Sequence, residues 1–194
     1  MITNAHFKPE QPAVENIIYT NNRGFTKKDI MELTTPQWIT NAHNLILTGK
    51  TGCGKSFVAQ AIALQACRMG FPAQNFRYNI LFEEINAARG TGLFLKFLNK
   101  IARIKVLIID DFVMQDITTQ DLAALLEIIE EKQQTGSIII TTQYPIPKWH
   151  QRFPDPTMAD AICDRLVNKA YKFHLEGESR RKNDTKSHVN DRSS

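Results

Sequence analysis

Eight consecutive residues, Gly49-Lys50-Thr51-Gly52-Cys53-Gly54-Lys55-Ser56, carry the spacing G-x-x-x-x-G-K-[ST] of a phosphate-binding loop. A triphosphate concentrates negative charge, so a site for it needs many donors converging on one place. Glycines let backbone N–H groups curl into such a nest, where side chains would block close approach. On this reading Lys55 reaches the β- and γ-phosphates and the Ser56 hydroxyl sits on Mg²⁺. Gly49, Lys50, Thr51, Gly52, Cys53 and Gly54 supply the cradle.

A second group completes the chemistry. Val106, Leu107, Ile108 and Ile109 form an apolar run that ends in Asp110 and Asp111. A buried parallel strand capped by a carboxylate at its C-terminal edge places that carboxylate where a metal would sit. Asp110 fits the aspartate that holds Mg²⁺. Asp111 stands where a water-orienting carboxylate belongs, or else serves as a turn or helix-capping residue. Gln143 follows the strand expected over 137–142 and so reaches the same edge, as a ligand-sensing amide or as a plain loop residue.

These side chains need an open parallel sheet to bring them together. Leu45, Ile46 and Leu47 read as the strand before the loop. Phe57, Val58, Ala61, Ile62 and Leu64 make the following helix apolar nearly all round, as a helix buried beside a sheet is. Its N-terminus adds a dipole and unpaired N–H groups to the anion site. Thr26 to Asp29 resembles a capping box and opens a short helix through Ile30 and Leu33, and Trp38 and Ile39 fall on a second one. A weak second strand is expected over 75–80 and a last one over 170–175. Leu122, Leu125, Leu126 and Ile129 recur at helical spacing, as do Met158, Ile162 and Leu166.

Between the second and third strands lie two helices broken at Arg89-Gly90-Thr91-Gly92. In the second of them Lys96, Lys100 and Arg103 form a basic stripe beside an apolar one. Such a stripe is either a solvated face or a surface that tracks a nucleic-acid backbone. The 24 Lys and Arg against 20 Asp and Glu suit a nucleic-acid partner without requiring one. Three widely spaced cysteines, Cys53, Cys67 and Cys163, read as free thiols of a reducing compartment. No apolar run approaches membrane-spanning length, so a cytoplasmic location and no membrane partner are expected.

Several stretches together resemble a known family: Asn44-Leu45-Ile46-Leu47-Thr48-Gly49, Ala87-Ala88-Arg89-Gly90, Leu107-Ile108-Ile109-Asp110-Asp111, Thr141-Thr142-Gln143, Asp160-Ala161-Ile162-Cys163-Asp164-Arg165-Leu166 and Gly177-Glu178-Ser179. In this order they are similar to the IstB-like ATPases, transposition helpers of bacterial insertion sequences. Those are related to DnaC-type helicase loaders within the AAA+ initiator clade. The resemblance implies an α/β fold, a three-layer α/β/α P-loop core on five parallel strands, and as a departure from the pattern no full C-terminal lid is expected in this chain. It implies ATP and Mg²⁺ as ligands, and hydrolysis completed between neighbouring subunits of a ring or filament on double-stranded DNA. It implies that Gln143 senses the γ-phosphate and that Arg165 is the arginine finger for the next subunit. It places Arg89, Lys96, Lys100 and Arg103 on a DNA-facing helix pair, and a transposase or replicative helicase as protein partner.

Some positions depart from the family's pattern. Asp111 stands where AAA+ proteins commonly have a longer glutamate, which predicts slower water activation. The family's helical N-terminal domain is expected to be missing from this chain, and Arg181 is the candidate for a second sensor. The expected organisation is an arm with short helices over 1–40, the ATPase core over 41–177 and a polar, disordered tail over 178–194. Two rivals remain open: a helicase-loader-like switch whose hydrolysis is incidental, and a small-molecule kinase. The basic helix pair offers no evident acceptor pocket for the kinase.

Overall fold

In the computed structural model the described residues are 12–19 and 24–177. Arg181 and the 178–194 tail lie outside them, as do residues 1–11 and 20–23 of the N-terminal arm. After a single 3-10 turn at Val14–Asn16 come two short helices, α1 (Lys27–Leu33) and α2 (Gln37–Thr40). Thr26 starts α1 through a reciprocal capping box: its hydroxyl accepts the Asp29 N–H at 3.2 Å, and the Asp29 carboxylate accepts the Thr26 N–H at 2.6 Å. The Thr26 bonds hold the Asp29 carboxyl below its usual value. The remaining elements alternate as β1 (Asn44–Gly49), α3 (Lys55–Arg68), β2 (Ala73–Arg77), α4 (Tyr78–Gly90), α5 (Phe94–Arg103), β3 (Val106–Asp110), α6 (Thr119–Thr135), β4 (Ser137–Thr142), α7 (Pro156–Val167) and β5 (Ala170–Leu175).

The five strands form one parallel sheet in the order β2-β3-β4-β1-β5. Alternate residues of each strand feed two cores. Leu45, Leu47, Val106, Ile108 and Ile139 pack with Val58, Ile62, Trp38 and Leu33 of α1–α3. Ile46, Leu107, Ile109, Ile138 and Ile140 pack on the other side with α4–α7. Burial on both faces explains the unbroken apolar runs of β3 and β4. Helix α3 buries four alanines, Ala59, Ala61, Ala63 and Ala66, which lets it lie close against the sheet. Among the described residues no helix is long and apolar enough to cross a membrane.

The second strand differs from the sequence reading. It spans Ala73–Arg77 in place of 75–80, and Tyr78 already begins α4. Tyr78 suits a strand by propensity, but its ring packs edge-on against Phe82 one turn later and against Phe112. Tertiary packing therefore overrides the local preference.

Helix α6 separates α5 from α7 and ends in a buried lysine. Lys132 is 1% exposed and donates to the Ile104 carbonyl at the end of α5 and to Thr135 Oγ1 at 3.3 Å. Burial, with the nearby Lys105 charge, pulls its ammonium down to about 8. The connection from α5 into β3 is thus tied to the C-terminus of α6.

Candidate nucleotide site

Strand β1 runs into a loop with left-handed backbone at Gly49 (φ 144°), Gly52 (φ 84°) and Gly54 (φ 96°). Gly54 is the N-cap of α3 in the left-handed region. A Cβ at Gly49 would lie 2.3 Å from the Leu175 carbonyl oxygen, so the loop can close against β5 only with glycine there. Lys55 opens α3 and is 6% exposed. Its ammonium donates to the carbonyls of Gly49 at 2.8 Å and Lys50 at 2.9 Å, drawn into the concavity its own loop forms. Buried positive charge with donors at a helix N-terminus is the chemistry of a polyphosphate site.

Ser56 donates its hydroxyl to Asp110 Oδ1 at 2.8 Å. Thr141, fully buried on β4, donates to the same carboxylate oxygen. The register accounts for this meeting. Ile109 pairs with Ile140, so Asp110 and Thr141 are the next level of the sheet, both on the α3 side. The Thr141 Oγ1 also accepts the Asp111 N–H at 3.2 Å, so one hydroxyl fixes two consecutive acidic residues. A hydroxyl and a carboxylate side by side at the loop's mouth are oxygen donors of the kind Mg²⁺ takes, and Ser56 and Asp110 fit that ion.

Asp111 projects from the sheet edge because the next residue is anchored inward. Asp111 (φ 59°) and Val113 (φ 55°) both take left-handed backbone, which is strained for a β-branched residue. Phe112 between them is buried against Tyr78, Trp149 and Phe153. Anchoring that ring turns Asp111 outward into an exposed position. Gln143, also exposed, directly follows β4, and the Thr142 hydroxyl beside it donates to the Phe112 carbonyl at 2.8 Å.

Arg165 lies beside the opposite end of β1 from this cluster. It sits near the end of α7, where the Asn44 amide donates to the carbonyls of Arg165 at 3.3 Å and Leu166 at 3.2 Å. Asn44 begins β1, and the phosphate loop follows the other end of the same six-residue strand. At about 3.3 Å per residue that separates the two by roughly 16 Å along the strand. Arg165 therefore does not reach its own chain's loop.

The basic residues divide. Lys96, Lys100 and Arg103 are exposed and line one groove of about 780 Å³ between α4 and α5, together with Leu93 and Phe97. Lys100 makes a long contact with Glu84, at 3.9 Å. Arg89 is committed elsewhere: it donates to the Gln120 carbonyl at 2.9 Å and stacks over Phe94 at 4.6 Å.

The residue that sequence reasoning passed over is Thr141, which was legible only as part of a motif. A run of threonines ending a buried strand was the signal, but its pairing with Asp110 is a matter of register. Arg77 is another, exposed and in register with Asp110 on the neighbouring strand.

Residues 1–188 match the sequence model of the IstB-like ATP binding protein family. The insertion sequence ATP-binding protein y4pL of Sinorhizobium fredii is 36% identical over 173 residues, covering 89% of this chain and 71% of its own length. Among solved structures, AMPPCP-bound DnaA from Aquifex aeolicus superposes with a TM-score of 0.72 at 16% identity, over 93% of this chain and 55% of the DnaA chain. The DnaC helicase loader superposes with a TM-score of 0.68 at 16% identity, over 84% of this chain and 95% of its own. This chain thus spans about half of the DnaA chain, and at such identities the structural likeness speaks to the fold alone.

Proposed function

This chain belongs to the IstB-like ATP-binding proteins, and on that premise we propose that it is a cytoplasmic ATPase that assembles on double-stranded DNA and regulates a transposase. The observation that carries the reading is the split between the two ends of β1. Lys55, Ser56, Asp110 and Thr141 converge at one end, while Arg165 stands at the other, out of reach of its own loop. A site divided in this way is completed by a second copy, in a ring or filament.

In the assembled site the loop amides and Lys55 hold the ATP phosphates. Ser56 and Asp110 would hold Mg²⁺, which would supply charge neutralisation to the polyphosphate. Asp111 orients the attacking water, and Gln143 contacts the γ-phosphate. Arg165 of the adjoining copy stabilises charge that develops in the transition state. Lys96, Lys100 and Arg103 supply the cations for the DNA backbone, with Arg89 holding the α4–α5 pair in shape. Three phosphate contacts predict a slope of log affinity against log salt near −2.7, from about 0.9 per contact.

The test is ATP turnover across a protein titration, with and without duplex DNA, for wild type and Arg165→Ala. Turnover per subunit should rise with concentration and with DNA. Arg165→Ala should remove the rise, by about 10³-fold at the plateau, while ATP affinity stays within about twofold. Turnover that is flat with concentration, blind to DNA and indifferent to Arg165 would refute the reading. A helicase-loader-like switch acting on a protein partner would then take its place.

A further inference from the structure

Arg165 is engaged within its own chain. Its Nη2 lies 2.8 Å from Glu130 Oε1 on α6, and its Nη1 donates to the Ala161 carbonyl at 3.1 Å. Ala161 is one turn earlier on the same helix, so the side chain is folded back along α7. It lines a polar crevice of about 120 Å³ with Asn41, Gln133, Asp164 and Asn168. The pair is not sealed in: 29% of the Arg165 side chain and 48% of the Glu130 side chain are exposed.

This arrangement conflicts with the role of a finger. A finger delivers uncompensated positive charge to a neighbour's phosphates, whereas a guanidinium paired with a carboxylate delivers little. The Glu130 carboxylate would also meet those phosphates as a like charge. The ion pair must therefore open before Arg165 can act.

We propose that Glu130 is a positioning residue that latches Arg165 in a retracted state, and that assembly exchanges this carboxylate for a neighbour's triphosphate. The proposal rests on the reading of Arg165 as the residue that completes an adjoining site. A half-exposed pair makes a weak latch, which triphosphate with its higher charge can displace. Its loss should move the concentration at half-maximal turnover about two- to fivefold lower. A residue that merely braced the finger in its working position would do the opposite, lowering the plateau.

The experiment measures turnover against protein concentration with duplex DNA for wild type, Glu130→Gln, Arg165→Ala and the double variant. The latch predicts a lower midpoint for Glu130→Gln at an unchanged plateau, and no effect of Glu130→Gln on the residual turnover once Arg165 is alanine. Mixing then assigns the effect to one side of the interface. Lys55→Ala subunits, which keep Arg165, are added to Arg165→Ala subunits, which keep the phosphate loop. Glu130→Gln should lower the midpoint when carried by the Lys55→Ala partner and do nothing when carried by the other. A midpoint that stays or rises, a lowered plateau, or an effect that survives in Arg165→Ala overturns the latch alone, provided the mixture is active. A mixture with no turnover overturns the in-trans reading and the latch with it.

Discussion

The two ends of β1 have opposite characters. At the C-terminal end Lys55 is 6% exposed, Asp110 7% and Thr141 fully buried, and each already makes the bonds that set its position. At the N-terminal end the charged group is a part-exposed arginine held by a half-exposed glutamate. Buried polar groups must be satisfied by their own chain, so the phosphate end is organised before any ligand arrives. A group that acts on another copy must remain near the surface, where its interactions are weak enough to exchange. The difference explains how one strand can carry both halves of a site without the halves meeting in one subunit.

Substitutions at the two ends should separate these roles. The largest effect on ATP binding is expected at the phosphate end. Lys55→Ala removes a charged donor and should weaken ATP binding about 10- to 150-fold in a nucleotide titration, with the fold retained by far-UV circular dichroism. Affinity within twofold of wild type would mean the loop does not bind through this lysine. Thr141→Val keeps shape and burial but takes the hydroxyl from Asp110 and from the Asp111 N–H. About tenfold lower turnover is expected, with a higher Mg²⁺ requirement and ATP affinity little changed. If Mg²⁺ dependence were unaltered, Thr141 would be a packing residue only.

At the other end, the smallest functional effect belongs to Asn44. Asn44 is buried, accepts the Ile138 N–H at 2.9 Å and donates to the end of α7. Asn44→Ala leaves that N–H and two carbonyls unmatched, so unfolding by urea should show a loss of about 1–3 kcal/mol. ATP affinity per folded molecule should hardly move, since the loop lies at the far end of the strand. An affinity loss as large as the stability loss would show that the two ends are coupled through β1.

The order and type of the elements were legible because each carries a local signal. Thr26 and Asp29 announced a helix start, the run into Asp110 announced a buried strand, and glycines at fixed offsets announced the loop. The boundary at Tyr78 was not legible, because an aromatic residue looks strand-like until Phe82 and Phe112 are known to flank it. Among the basic residues, sequence grouped Arg89 with Lys96, Lys100 and Arg103. The fold left three of them on a shared groove and turned Arg89 to brace Gln120 and Phe94.

What the sequence determined by itself is whatever lies within a few residues of one point on the chain. The phosphate loop is such a case, since its glycines, Lys55 and Ser56 form one uninterrupted stretch whose backbone conformation is set locally. Only the tertiary structure decided which distant side chains share an atom or a charge. Thr141 meets Asp110 because β3 and β4 pair in one register, and Glu130 faces Arg165 because α6 packs against α7. A one-residue slip would turn Thr141 to the opposite face of the sheet, and no local propensity specifies against that slip. The burial of alternate apolar residues on two faces does, and that is a property of the folded sheet as a whole.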